Sequence, residues 1–154
     1  LVPRDLVVMG LSALVLIGIG VLLEGTRVGK AMRAVADNRD LAESSGIDVQ
    51  RVILFVWFFG GALAALGGVF VGVSENVNWL MGFRMLLLMF AGTILGGLGT
   101  AYGALAGSIL VGLVTEVSTV WFSPELKYVW ALLILGVVLM LRPQGLLGVK
   151  ERIG

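Results

Sequence analysis

The sequence contains neither cysteine nor histidine. Without these residues the chain cannot form disulfides, thiolate or imidazole metal sites, or the Ser/His and Cys/His pairs of nucleophilic catalysis. Only 14% of the residues are charged, and the formal net charge of +1 gives no basic surface for nucleic acid. We therefore expect no catalytic residues, no metal, no cofactor and no nucleic-acid partner.

Long uncharged runs take the place of the missing charge. Hydrophobic residues form 58% of the sequence, and residues 6–23 and 52–73 carry no charge. A run of about 18 or more apolar residues is long enough to cross a bilayer as a helix. We therefore predict an all-α fold, a polytopic membrane helix bundle, with residues 1–154 forming a single transmembrane domain. Its expected spans are residues 6–23, 52–73, 83–95 plus 101–116 as a broken pair, and 124–141.

Residues 24–51 form a long polar stretch between the first two predicted spans. Thr26 can cap a helix that follows it, and Asp48 can cap the helix that becomes the second span. Between them we expect Asp37-Asn38 to break the first helix or to cap a new one. A short helix then covers residues 39–45 and ends at Gly46, which suits the left-handed position after a helix. The charge of this loop is balanced, which argues against a patch for anionic lipids. Its basic residues are Arg27, Lys30, Arg33, Arg39 and Arg51, and its acidic residues are Glu24, Asp37, Asp40, Glu43 and Asp48.

The middle of the chain has an uncharged run that is too long for one span. Residues 85–115 would form a helix about 46 Å long, against a hydrocarbon core of about 30 Å. Glycines cluster over residues 96–103 and weaken a helix there, so we expect two short helices joined by a bend at membrane depth. Small residues also recur at the spacing that lets membrane helices pack closely. They are Gly92 and Gly96; Gly99, Gly103 and Gly107; and Ala104, Ser108 and Gly112.

The glycine cluster has two interpretations. It serves helix packing alone, or its interrupted backbone lines a substrate path, as broken helices do in transporters. Thr93, Thr100 and Tyr102 are the nearby side chains that can form hydrogen bonds with a solute. Glu116 also has two interpretations. A carboxylate inside the membrane would suggest a proton or ion site. At the end of its predicted span, Glu116 would instead be a solvated residue at a helix end, and we favour this interpretation.

Basic residues indicate the orientation, because cytoplasmic loops of membrane proteins carry an excess of them. If residues 24–51 and the C-terminal tail are both cytoplasmic, eight basic residues lie inside and three outside. Two segments on the same side need an even number of crossings between them, so the middle run must cross twice or dip and return. The inside set is the five basic residues of the loop with Arg142, Lys150 and Arg152, and the outside set is Arg4, Arg84 and Lys127.

Three stretches of the sequence together resemble a known family. They are residues 26–47, which contain TRVGKAMRAVADN and AESSGI; residues 95–100, LGGLGT, followed by Gly103, Gly107 and Glu116; and residues 142–148, RPQGLLG. This chain resembles the permease subunits of bacterial branched-chain amino acid ABC importers over nearly its whole length. Full subunits of that family are much longer, so we expect this chain to be the C-terminal half of one.

The resemblance implies a docking element in the polar loop. Asp40-Leu41-Ala42 followed by Gly46 is similar to the Glu-Ala-Ala-xxx-Gly element that docks ABC importer permeases on their ATPase, with Asp replacing Glu and Leu replacing the first Ala. The alternative is a loop that merely connects two spans. The residues expected to couple to the ATPase are Arg33, Ala34, Asn38, Asp40, Leu41, Ala42, Gly46 and Ile47. The residues expected to line the substrate path are Gly92, Thr93, Gly96, Gly97, Gly99, Thr100, Tyr102 and Gly103.

The function that the resemblance implies is that of a transmembrane permease subunit in an ATP-driven importer for branched-chain or related amino acids. It has no catalysis of its own. The implied partners are cytoplasmic ATP-binding subunits, a second permease subunit, an extracytoplasmic substrate-binding protein and the lipid bilayer. The implied location is the bacterial plasma (inner) membrane, multi-pass, with residues 24–51 and the C-terminus cytoplasmic. The alternative is an ion-gradient-driven secondary transporter or channel subunit, which needs ionisable groups at membrane depth. None is visible inside the predicted spans.

Overall fold

The computed structural model describes residues 2–148. Within that range all regular structure is helical, which confirms the predicted all-α bundle with its broken middle segment. Lys150 and Arg152, two of the basic residues expected in the cytoplasm, lie outside the described residues. The helices are α1 (Pro3–Gly25), α2 (Arg27–Asp37), α3 (Arg39–Ser44), α4 (Val49–Ser74), α5 (Met81–Gly96), α6 (Ala101–Trp121), a 3-10 turn (Pro124–Leu126) and α7 (Lys127–Leu141).

Contacts within the chain divide it into two compact units, Leu1–Val77 with α1 to α4 and Asn78–Gly154 with α5 to α7. Among the described residues, four stretches are long and apolar enough to cross a membrane, namely α1, α4, α6 and Pro124–Leu141. Helix α5 has 16 residues, about 24 Å of helix against a hydrocarbon core of about 30 Å. The expectation of one transmembrane domain and its exact spans stays a prediction.

The helix starts predicted in the polar loop are confirmed. The side-chain oxygens of Thr26, Asn38 and Asp48 each accept a hydrogen bond from the backbone N–H three residues on, at 3.1, 3.0 and 3.2 Å. These caps begin α2, α3 and α4, and each satisfies an amide that has no partner inside its helix. Gly46, which follows α3, has the predicted left-handed backbone with φ +85°.

We expect Asn38→Ala to loosen α3. This helix has only six residues, so the loss of a cap bond worth about 1 kcal/mol should raise its local opening roughly fivefold. Hydrogen exchange of the Leu41 amide measures this directly. Glu43→Ala is the control, because Glu43 is exposed on the same helix and its side chain makes no cap bond. Equal loosening by the two variants would show that the cap contributes nothing.

In the second unit, α5 and α6 form an antiparallel hairpin, and α7 packs against both. The antiparallel register follows from the pairs in contact, because Gly96 faces Gly103 while Gly92 faces Ser108. The core is small and apolar, as expected where helices approach closely. Its buried members are Ala91, Leu95, Val111 and Ala131, with Leu88, Ile134, Leu135 and Val138 packed around them.

Two local expectations in this unit need correction. The stretch Ser123-Pro124-Glu125 predicts a helix start with Ser123 as its cap. Ser123 makes no side-chain cap bond, and the chain instead enters α7 through the 3-10 turn Pro124–Leu126. Helix α6 does not end near Glu116 but continues to Trp121. A single exposed carboxylate does not end a helix, because its neighbours keep their backbone hydrogen bonds, so the first charge after an uncharged run does not mark the helix end.

Candidate functional site

The polar loop is packed against the first unit's long helices. Helix α2 contacts both α1 and α4, and α3 contacts α2 and α4. At the start of α2, Gly29 lies so close to α1 that a Cβ there would sit 2.7 Å from the Leu23 carbonyl carbon. Ala42 in α3 and Val49 at the start of α4 are buried. The loop is therefore a folded element, in which α3 packs against α4.

The eight predicted coupling residues divide into an outer and an inner set. Arg33, Asn38, Asp40, Leu41 and Gly46 are exposed, whereas Ala42 is buried and Ala34 and Ile47 are half-buried. The inner residues hold the loop together through their backbones. The Ala34 carbonyl accepts from the Asn38 N–H at 3.0 Å, and the Ala42 carbonyl accepts from the Ile47 N–H at 3.1 Å.

The outer face of α3 combines an apolar side chain with free charge. Leu41 is 64% exposed although it is apolar. Asp40 beside it is exposed. Within residues 2–148 the loop has one ion pair, between Arg51 Nε and Asp48 Oδ2 at 2.9 Å, so Asp40 and Arg33 are not paired. Such a face, on a short capped helix, has the chemistry that a partner groove recognises.

The predicted substrate-path residues lie around the α5–α6 turn. Gly92, Gly96 and Gly103 are buried in the hairpin contact, where a Cβ on Gly96 would meet the Gly103 carbonyl and lie 2.9 Å from the Ala104 nitrogen. Gly97 is buried in the turn with φ +109°. These glycines bring the two backbones into close contact, and whether they also line a substrate path stays a prediction.

The remaining path residues have other surroundings. Thr93 Oγ1 donates to the Met89 carbonyl in its own helix at 2.8 Å, and Thr100 Oγ1 donates to the Gly97 carbonyl at 3.3 Å. Gly99 has φ +92°, and a Cβ added there would meet nothing within 4 Å. Tyr102 is 39% exposed. A solute could therefore reach Gly99, Thr100 and Tyr102, and their role in a path stays a prediction.

The turn was expected to be a bend at membrane depth, and its depth stays a prediction on which the length of α6 bears. Helix α6 begins directly after the turn and has 21 residues, about 31 Å of helix, which is enough for a whole hydrocarbon core. The turn thus lies at one end of a helix that is long enough to span a membrane. This favours a place near the membrane surface. The same end of the unit holds the end of α7, because residues after α7 contact the end of α5.

One contact here was not predicted, that of α5 with the stretch Arg142-Pro143-Gln144-Gly145-Leu146-Leu147-Gly148. We call residues 142–148 the cap segment. It folds back onto the end of α5, where Gly145 is buried with φ +78°. Its residues also line a cavity of about 590 Å³. The available signal was the pair of glycines after a proline, which indicates a turn but not its distant contact.

Comparison with known proteins identifies the family. The family model described as branched-chain amino acid transport system / permease component matches residues 5–141. The high-affinity branched-chain amino acid transport system permease protein LivH of Escherichia coli (strain K12) is 33% identical over 139 residues, 90% of this chain and 45% of the relative. BraD of Pseudomonas aeruginosa, of the same description, is 31% identical over 148 residues, 96% of this chain and 48% of the relative. A probable LivH of Methanocaldococcus jannaschii is 34% identical over 143 residues, 88% of this chain and 45% of the relative.

No solved structure matches this chain. The chain spans slightly less than half the length of the curated relatives it matches, so the comparison concerns one part of such proteins. That part covers nearly the whole chain, including the polar loop, the α5–α6 hairpin and α7. The family match, the helical fold and the four span-length apolar stretches agree. The chain belongs to the family of branched-chain amino acid transport permease components.

Proposed function

We propose that this chain works in the permease subunit of an ATP-driven importer for branched-chain or related amino acids, and that residues 24–51 dock on a separate ATPase. The relatives' names describe branched-chain amino acid transport, which supports the substrate class. The observation that carries the docking is the outer face of α3. It presents an exposed leucine and unpaired charge on a helix that is capped at its start and packed on α2 and α4.

The geometry supplies a route for force from α3 to the membrane. Helix α3 ends in a tight turn, in which the Gly46 N–H donates to the Glu43 carbonyl at 3.0 Å. Asp48 then caps α4, and Val49 at its start is buried. A displacement of α3 would therefore be transmitted to α4 through only a few ordered residues. Helix α2 contacts α1 and would transmit the same displacement to it, so α1 and α4 would tilt together.

The orientation that goes with this proposal places the polar loop and the C-terminal end in the cytoplasm, following the excess of basic residues there. The α5–α6 turn lies at the same end of its unit as the end of α7. Gly99, Thr100 and Tyr102 would then line the cytoplasmic end of the substrate path, where a solute leaves. A second permease subunit, ATP-binding subunits and an extracytoplasmic binding protein complete the proposed assembly.

An ion-gradient mechanism has less support. Ion-coupled transporters hold ionisable groups inside the protein at membrane depth. Within residues 2–148 the one buried polar side chain is Thr115, whose Oγ1 donates to the Gly112 carbonyl of its own helix at 2.9 Å. Glu116 next to it is exposed. No described acidic or basic side chain is buried where it could bind a coupling ion.

The docking proposal is tested with Leu41→Asp in the full-length subunit. We expect this variant to lose co-purification with the ATPase subunit, because a carboxylate replaces the apolar contact at the centre of the docking face. Leu41→Ala should weaken the complex by a smaller amount. Leu54→Ala is the control, since Leu54 on α4 is 60% exposed and lies outside the loop. Full association of Leu41→Asp with the ATPase would contradict the docking surface.

A further inference from the structure

The backbone carbonyls at the end of α5 find their hydrogen-bond donors in an unusual way. An α-helix leaves its last four carbonyls without partners inside the helix. In α5 the first two of these, from Thr93 and Ile94, accept from the Gly97 N–H, both at 3.2 Å. That is a local arrangement, made by the residue that directly follows the helix. It leaves the carbonyls of Leu95 and Gly96 to be accounted for.

The cap segment supplies the two missing donors. The Leu146 N–H donates to the Leu95 carbonyl at 2.8 Å, and the Leu147 N–H donates to the Gly96 carbonyl at 3.0 Å. All four terminal carbonyls of α5 are therefore bonded, two of them from beyond the end of α7. In this arrangement Leu95 is 0% exposed, so its carbonyl is bonded by the cap segment and not by water.

Glycines make this contact possible. A Cβ on Gly145 would lie 2.5 Å from the Gly97 nitrogen and 2.6 Å from its Cα. A Cβ on Gly97 would lie 2.8 Å from the Gly148 Cα. The two backbones therefore touch without any side chain between them. Gly145 and Gly97 also have the positive φ angles that other residues rarely adopt.

We propose that residues 142–148 cap α5 permanently and hold the α5–α6 turn and the end of α7 together as one body while the transporter works. The last part rests on the proposed function, whereas the cap itself does not. Opening the cap would take away the donors of two carbonyls that the closed structure buries. That cost favours a fixed contact over a gate that opens in each cycle.

Hydrogen exchange tests the cap in the full-length subunit in lipid nanodiscs. The Leu146 and Leu147 amides should exchange far more slowly than an unstructured tail, and Gly145→Ala should raise their exchange by at least about tenfold. The matched control is Gly99→Ala, because Gly99 also has a positive φ but a Cβ added there would meet nothing within 4 Å. Alanine at either position strains the backbone, whereas only Gly145→Ala adds a clash. The Leu146 and Leu147 amides should therefore stay protected in Gly99→Ala. Fast exchange in the unchanged protein, or equal loss in both variants, would overturn the cap.

A cross-link tests whether the cap stays closed during transport. Leu98 in the turn and Leu147 in the cap segment are both exposed, and this chain has no cysteine of its own. We expect the double variant Leu98→Cys/Leu147→Cys to transport at the same rate before and after its two thiols are cross-linked by a short bifunctional reagent. Loss of transport on joining, with the single-cysteine variants unaffected by the reagent, would show a moving gate and overturn the proposal. If the unchanged protein imports no amino acid, the proposed function fails while the exchange result still decides the cap.

Discussion

Gly107→Val is expected to prevent the α5–α6 hairpin from forming. Gly107 is buried, and a Cβ there would lie 2.5 Å from the Gly96 nitrogen and 2.7 Å from its Cα, both backbone atoms of the facing helix. Overpacking of a core typically costs about 1–3 kcal/mol, and here no flexible side chain can move aside, so we expect at least about 3 kcal/mol. The yield of folded protein in detergent and its thermal unfolding measure the effect.

Gly112→Val is the matched control for this experiment. It lies on the same helix, α6, and a Cβ there would meet nothing within 4 Å. Both substitutions replace a helical glycine by the same β-branched residue, so helix propensity changes alike in both. The difference between them isolates the helix–helix contact. Similar stability of the two variants would contradict the packing that the structure shows.

Gly46→Pro is expected to uncouple transport from ATP hydrolysis while the protein still inserts in the membrane. Proline fixes φ near about −65°, whereas Gly46 has φ +85°. Proline also removes the N–H that donates to the Glu43 carbonyl. The turn between α3 and α4 would therefore rearrange, and the push on α3 would no longer reach α4. Substrate-stimulated ATPase activity of the reconstituted complex is the measurement.

Further variants separate the effect of the turn at Gly46 from the effect of the exposed charges on α2 and α3. Gly46→Ala keeps the N–H and meets no neighbour within 4 Å, so only the positive φ, worth about 1–2 kcal/mol, opposes it and coupling should fall less than with proline. Charge reversal by Arg33→Glu and Asp40→Arg should uncouple without altering the fold, because both side chains are exposed and unpaired. Full substrate-stimulated ATPase activity in the proline and charge variants would refute the docking assignment.

The sequence was most informative where one residue decides local structure. Thr26, Asn38 and Asp48 stand directly before amides that need an acceptor, and each forms the expected cap. Gly46 likewise takes the left-handed position that ends a helix. These signals depend on neighbours a few residues away, so an isolated sequence contains all the information they need.

Spacing alone was less reliable for the glycines of the second unit. The four-residue pattern correctly indicated close packing at Gly92, Gly96, Gly103 and Gly107. It also included Gly99 and Gly112, of which the first lies in the turn and the second faces open space. A spacing shows which residues share a helix face only if the helix continues through them, and here the helix breaks between Gly96 and Ala101.

The cap segment could not be predicted because its partner is distant. Its bonds join Leu146 to Leu95 and Leu147 to Gly96, and no periodic pattern links these positions. The contact depends on how α5, α6 and α7 pack, which brings the ends of α5 and α7 together. Only that tertiary arrangement shows why a proline and two glycines follow the last helix.

The central claim is that the polar loop faces the cytoplasm, and labelling of single cysteines in intact cells tests it most directly. Glu43→Cys places a thiol on exposed α3, and Asn76→Cys places one in the exposed link after α4. The account predicts that a membrane-impermeant thiol reagent labels Asn76→Cys in intact cells and labels Glu43→Cys only after the membrane is opened. Labelling of Glu43→Cys from outside intact cells would invert the topology and contradict ATPase docking on α3.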